Sequence, residues 1–237
     1  MQVPFSYLCQ QFVDSTEILE KIKNHLTTCQ FTLGPEVKEF ESKFSEKIGV
    51  AFGLSVGSGT DALKIALRSL GIGPGDEVIT AANTFIATVG AIAETGAKPV
   101  LADIGDDYTI DPNSLMRRVT KATKAVVPVH IAGCPANMDQ IIAIARSHDL
   151  LIVEDACQAI QARYKGANAG TFGHAAAFSL HPQKNLNVWG DGGIIVTQSS
   201  ETAERINLLR NHGLKNRDEV ETLGYNSRLD TIQAIVG

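Results

Sequence analysis

The stretch Leu151-Ile152-Val153-Glu154-Asp155-Ala156-Cys157-Gln158 sets three apolar residues directly before two carboxylates. A short run of this kind suits a strand buried on both faces, as in a parallel sheet covered by helices on either side. Its carboxylates then fall at the strand's carboxyl end, where open α/β sheets place their ligand sites. Asp155 is the better placed of the two. A carboxylate there can keep the ring nitrogen of a heterocyclic ligand protonated, although the same residue also reads as a helix N-cap or a solvated acid. Glu154 reads as structural.

Outward from this stretch, strand-like runs at 77–80, 99–102, 125–129, 150–154, Ala175–Ser179 and Gly193–Thr197 are mostly separated by helical stretches such as 84–94 and Met138–Ser147. That alternation predicts the α/β class, with helices on both faces of a mostly parallel sheet. Helices at about 14–28 and Pro35–Ile48 form an N-terminal lead-in spanning residues 1–50, and a third helix starts at Thr60 after Gly57-Ser58-Gly59. No repeat, low-complexity tract or Ser/Gly-rich linker divides the chain, so residues 1–237 read as one domain. The closing residues, Asp230 to Gly237, look like the first turns of a helix that does not complete a packed element. A fragment of a longer protein is expected.

The 237 residues are 44% apolar, enough for a large core, and a net charge of −5 with a pI near 5.7 gives no basic stripe for nucleic acid. Small molecules are the expected partners. Cys9, Cys29, Cys134 and Cys157 form no C-x-x-C pair, and the six histidines show no paired ligand spacing, which disfavours a zinc site, a disulfide scaffold and a metal hydrolase. The N-terminal MQVPFSYLCQQF lacks a basic region followed by an apolar one, and no window approaches a membrane span. The expected location is the cytoplasm.

Two further segments carry chemistry. Val56-Gly57-Ser58-Gly59-Thr60-Asp61-Ala62-Leu63 opens a helix whose unpaired amides and positive dipole end suit a phosphate. It also reads as an ordinary strand-to-helix turn capped by Thr60 or Ser58. Gly57, Gly59 and Ala62 satisfy G-x-G-x-x-[G/A], the mark of an NAD(P)-dependent oxidoreductase. That fold wants an acidic residue at the end of its second strand, whereas Glu77 precedes Val78-Ile79-Thr80. The second segment, Phe178-Ser179-Leu180-His181-Pro182-Gln183-Lys184-Asn185-Leu186, leads into Trp189-Gly190-Asp191-Gly192-Gly193. A lone loop lysine is usually solvated, but Lys184 lies between a strand and a Gly-Gly step into another, a tight setting in which an amine acts as nucleophile and proton carrier. Ser179 can offer its hydroxyl to the same phosphate, or simply end a strand. His181 and Trp189 read most simply as packing residues.

As an ordered set these residues resemble the DegT/DnrJ/EryC1/StrS group of sugar aminotransferases. The likeness runs from Val3-Pro4-Phe5 through Thr32-Leu33-Gly34-Pro35-Glu36-Val37, Gly57-Ser58-Gly59-Thr60-Asp61-Ala62-Leu63, Asn83-Thr84-Phe85, Pro128-Val129-His130, Glu154-Asp155-Ala156-Cys157-Gln158-Ala159, Ser179-Leu180-His181-Pro182-Gln183-Lys184-Asn185 and Gly190-Asp191-Gly192-Gly193 to Gly224-Tyr225-Asn226-Ser227-Arg228-Leu229-Asp230. It implies the three-layer α/β/α large domain of a fold-type-I pyridoxal-phosphate enzyme with a mostly parallel, mixed sheet, its small C-terminal domain missing here. It implies that Lys184 holds pyridoxal 5'-phosphate as a Schiff base, Asp155 pairs with the pyridine nitrogen, Phe85 stacks on the ring and Gln158 meets the phenolic oxygen. Ser179 and the Gly59 and Thr60 amides would bind the phosphate, and Asn226 the phosphate of a neighbouring subunit, hence a homodimer with shared sites. The family's dehydratases replace the lysine with histidine, so Lys184 implies transamination, with L-glutamate as donor and a keto-sugar, nucleotide-linked, as acceptor. Two other readings stand beside this one: a catalytically inactive or regulatory protein that binds the same cofactor, and the NAD(P) oxidoreductase.

Overall fold

The computed structural model describes residues 7–237, so Val3-Pro4-Phe5 lies outside the described residues. Its first elements are α1 (Leu8–Gln11), α2 (Thr16–His25) and α3 (Pro35–Ile48). α3 carries its own punctuation: Pro35 sits in the first turn, where no N–H partner is needed, and Gly49 ends the helix at φ 89°. Val37, Phe40, Phe44 and Ile48 recur every three or four residues and form one buried stripe. Phe44 meets Phe178 edge to face at 5.2 Å between ring centroids. α3 is thus a wall of the core as well as a lead-in.

The chain continues as β1 (Phe52–Val56), α4 (Gly59–Ser69), β2 (Glu77–Ala81), α5 (Ile86–Glu94), β3 (Lys98–Ala102), α6 (Pro112–Arg118) and β4 (Thr123–Val127). Then come α7 (Met138–Ser147), β5 (Leu151–Asp155), a small hairpin of β6 (Arg163–Tyr164) and β7 (Ala167–Asn168), β8 (Ala175–Ser179), β9 (Gly193–Thr197), α8 (Ser200–Arg210) and α9 (Thr231–Val236). The main sheet has seven strands in the order β1-β9-β8-β5-β4-β2-β3. Only β9 runs against its neighbours; the other pairings are parallel, so β1, β2, β4, β5 and β8 all end on one edge.

Strand period decides how the layers form. Val78, Val127, Val153, Ala177 and Ile195 face α4, α5 and α8, while Ile79, Val126, Ile152, Ala176 and Ile194 face the opposite layer of α3, α6, α7 and α9. Both faces are covered, which is why these strands read as continuous apolar runs rather than alternating ones. This is the three-layer α/β architecture with a mixed, mostly parallel sheet. No helix among the described residues is long and apolar enough to cross a membrane.

Several boundaries differ from the sequence expectation. The 14–28 helix is shorter, Thr16–His25, and the 84–94 helix starts at Ile86. The 125–129 strand begins at Thr123 and ends at Val127, with Val129 making an isolated parallel bridge to Asp155. The third helix starts at Gly59 rather than Thr60, because Ser58 is its N-cap. β1, α6, α8 and the β6–β7 hairpin had no clear signal. In β1 the pattern is broken by Gly53, where a Cβ would lie 2.8 Å from the Glu41 carbonyl oxygen of α3, so close helix approach excludes a side chain.

Candidate active site

The turn between β1 and α4 is built around Ser58, whose extended backbone lets its hydroxyl accept the Asp61 amide at 3.1 Å. The next two amides, of Gly59 and Thr60, meet no acceptor among the described residues. They stand at the positive end of the α4 dipole, an arrangement that suits an anion. Long-range contacts lock the turn. The Gly57 amide donates to Ser227 Oγ at 3.0 Å, and that hydroxyl donates to Asp61 Oδ2 at 2.8 Å. A Cβ on Gly59 would lie 2.7 Å from Ser179 Cβ and 3.1 Å from Cys157 Sγ, so the helix start, the end of β8 and the residue after Asp155–Ala156 are in direct contact. A Cβ on Gly193 would lie 2.3 Å from the Ser58 carbonyl oxygen, the physical reason for the Gly-Gly step.

Asp155 closes β5 and is 5% exposed. Its Oδ1 accepts the Cys157 amide at 3.2 Å and its Oδ2 accepts the Thr88 hydroxyl at 2.6 Å. Thr88 Oγ1 lies 2.7 Å from Thr84 Oγ1. Between these two threonines in the sequence, Phe85 is the N-cap residue of α5 and is 65% exposed. Sequence reasoning missed Thr88; the one available signal was its helical phase, three residues after Phe85 and on the same first turn.

Glu154 points the other way and is wholly buried. Its Oε1 accepts the Phe172 and Gly173 amides at 2.8 and 2.7 Å, and its Oε2 accepts the Gly170 amide at 2.7 Å. His130 Nε2 is 2.9 Å from Oε2, and His130 Nδ1 accepts the Ala136 amide, so the ring proton sits on Nε2 and is donated to Glu154. The pair is structural, as the sequence suggested for Glu154.

Lys184 is half-buried in the loop after β8, its amide donating to the His181 carbonyl at 2.8 Å and its carbonyl accepting Asn187 Nδ2 at 3.1 Å. Cys157 registers both charged neighbours. Burial pushes its thiol well above the usual range, the Asp155 carboxylate adds to this, and the Lys184 ammonium opposes it. Cys157 is therefore expected to stay unreactive toward a disulfide reagent such as DTNB in the folded protein, while the exposed Cys9, Cys29 and Cys134 react. Thiol titration before and after unfolding checks this; a fast-reacting Cys157 in the folded state would contradict the placement of that thiol.

Gln158, half-buried, accepts the Ala132 amide through Oε1 at 2.8 Å. Asn226 is exposed, bridges to Asn211 and joins the cluster only through its neighbour Ser227. The structure thus gathers Gly59, Thr60, Ser179, Asp155 and Cys157 at one edge of the sheet, with Lys184 acting on the same thiol as Asp155 and Phe85 linked through Thr88.

The family model of the DegT/DnrJ/EryC1/StrS aminotransferases matches residues 13–237. A Geobacillus stearothermophilus protein named pleiotropic regulatory protein is 44% identical over 238 residues, covering 100% of this chain and 64% of the relative. The dTDP-3-amino-3,4,6-trideoxy-alpha-D-glucose transaminase of Streptomyces venezuelae is 47% identical over 212 residues, covering 89% of this chain and 56% of the relative. Among solved structures, S. venezuelae DesV in complex with a ketimine intermediate superposes with a TM-score of 0.96 at 44% identity, over 99% of this chain and 64% of that one. NtdA from Bacillus subtilis, with bound cofactor PMP, gives 0.92 at 34% identity, over 99% of this chain and 55% of that one. The chain spans 56 to 64% of the length of the two curated relatives. With a family model covering residues 13–237 and a shared fold across the sheet and its site, this chain belongs to the DegT/DnrJ/EryC1/StrS aminotransferase family.

Proposed function

We propose that this chain is the large, cofactor-binding domain (residues 1–237) of a pyridoxal-phosphate-dependent aminotransferase. Its reaction moves an amino group from an amino acid, L-glutamate by family resemblance, to the keto group of a nucleotide-linked sugar, in amino-sugar, polysaccharide or antibiotic-sugar biosynthesis. One observation carries the proposal: the buried Asp155 carboxylate lies beside an anion-suited helix start, Gly59 and Thr60 with Ser179, and acts on Cys157 together with Lys184. A ring nitrogen, a phosphate and an aldehyde in one small molecule match those three features. The transaminase name of the S. venezuelae relative and the PMP in the NtdA structure support this reading.

Bound pyridoxal phosphate would supply an electron sink for the amino acid's Cα. Lys184 Nζ would hold the aldehyde carbon and carry the proton between carbon positions. Asp155 would keep the ring nitrogen protonated, Phe85 would cover the ring, and Gln158 would reach its phenolic oxygen. Ser179 and the Gly59 and Thr60 amides would hold the phosphate. Asn226 would reach the phosphate of a second copy. The exposure of the adjacent Phe85 and Ile86, with Tyr108 tied to the same turn through Asn83, supports a homodimer, since apolar surface gathered in one place favours a partner. The free state of Cys9, Cys29, Cys134 and Cys157 supports a reducing cytoplasm.

The test is a visible spectrum of the full-length protein, reconstituted with pyridoxal phosphate, before and after L-glutamate. A Schiff-base band that disappears on adding the donor is the expected result. A regulatory protein that binds the same cofactor predicts the band but no response to any amino donor. An absent band, with NAD(P)H bound instead, would favour the oxidoreductase.

A further inference from the structure

We propose that Thr88 is a positioning residue for Asp155, its hydroxyl orienting the carboxylate and holding negative charge in place for the ring nitrogen, with Thr84 as the next donor behind it. The inference rests on the assignment of Asp155 to that nitrogen. Thr88 is 1% exposed, and its Oγ1 lies 2.6 Å from Asp155 Oδ2, the length of a charge-assisted O–H···O bond. An ionised carboxylate only accepts, so Thr88 must donate. Its single proton is then committed, and the proton in the 2.7 Å contact with Thr84 must come from Thr84. The direction Thr84 to Thr88 to Asp155 follows from the inventory of protons alone.

Three features separate this from ordinary packing. A threonine inside a helix usually turns its hydroxyl back onto its own helix, whereas this one crosses to a residue 67 positions later. Asp155 Oδ1 is held by the Cys157 amide, so each carboxylate oxygen has one protein donor and the plane of the group is set. Thr84, Phe85 and Thr88 also share the entry into α5. The side chain assigned to cover the ring and the one that steers the counter-ion therefore move as one unit. A donor on Oδ2 withdraws electron density from the carboxylate and leaves the shared proton on the ring nitrogen. Without it, the proton moves toward Asp155.

The test uses the full-length protein loaded with pyridoxal phosphate carrying nitrogen-15 in the ring. In Thr88→Val the ring-nitrogen resonance is expected to move toward the neutral-pyridine position, and cofactor dissociation to become about tenfold easier, as for loss of one hydrogen bond to a charged group. Thr88→Ser should restore both, and Thr84→Val should give a smaller shift in the same direction. If Asp155→Asn moves the resonance while Thr88→Val leaves it at the wild-type position, the inference is overturned and the Asp155 assignment survives. If Asp155→Asn leaves the resonance unmoved, the assignment itself fails. Should Thr88→Val not fold, Thr84→Val decides between the outcomes: an unshifted resonance there overturns the inference.

Discussion

Lys184→Ala in the full-length protein is expected to lower kcat for amino transfer by about four orders of magnitude, the upper range for removal of a positioned acid–base group. On the proposed assignment the loss is large because one amine would have two tasks, holding the cofactor's aldehyde carbon and moving the proton. Lys184→Arg should not rescue it, since a guanidinium neither deprotonates near neutrality nor forms the same carbon–nitrogen bond. Cofactor binding should fall much less than turnover, because the Gly59 and Thr60 amides, Ser179 and Asp155 are all independent of the lysine side chain. Steady-state turnover with L-glutamate, together with borohydride reduction and peptide mapping, checks both parts. Turnover within tenfold of wild type, or a reduced adduct on another lysine, would remove Lys184 from its assigned place.

The strands that face helices on both sides were legible because burial of both faces demands an unbroken apolar run, and β5, β8 and β9 have one. β1 was not, since Gly53 answers to the close approach of α3 and not to strand propensity. α8 reads SETAERINLLR, with polar residues spread along it, and only tertiary contact shows that Ala203, Ile206 and Leu209 face the core. In the site, Asp155 and Lys184 stood out because each sits at an edge of a recognisable element. Thr88 and Ser227 did not, because their importance lies in partners far along the chain, Asp155 and Gly57, and local sequence carries no trace of such pairings. The helix cap shows the limit at finer scale. Ser58 and Thr60 are both good capping residues, and the choice of Ser58 places the two unpaired amides on Gly59 and Thr60.

Glu154→Ala is expected to cost about 4 kcal/mol of stability, as for removing the shared acceptor of several buried or partly buried donors. The substitution leaves the Gly170, Phe172 and Gly173 amides and the ring N–H of the buried His130 without their shared acceptor. Each such donor carries a penalty of about 1–3 kcal/mol, and partial collapse of the cavity keeps the total below their sum. Glu154→Gln keeps one acceptor oxygen but turns an NH2 toward donors, so an intermediate loss follows. Urea unfolding should show a lower midpoint with an unchanged slope. A wild-type midpoint in Glu154→Gln would mean that the four contacts do not bear on the global fold. Neighbouring residues on a strand face opposite sides, so Glu154 binds the layer of the 170–173 loop while Asp155 faces α5. The same peptide is held by the Asp155 amide to Pro128 at 2.9 Å and by the His130 amide to the Asp155 carbonyl at 3.0 Å. Loosening Glu154 therefore frees the backbone that aims Asp155, and weaker cofactor binding should accompany the stability loss even though Glu154 itself faces away from the site.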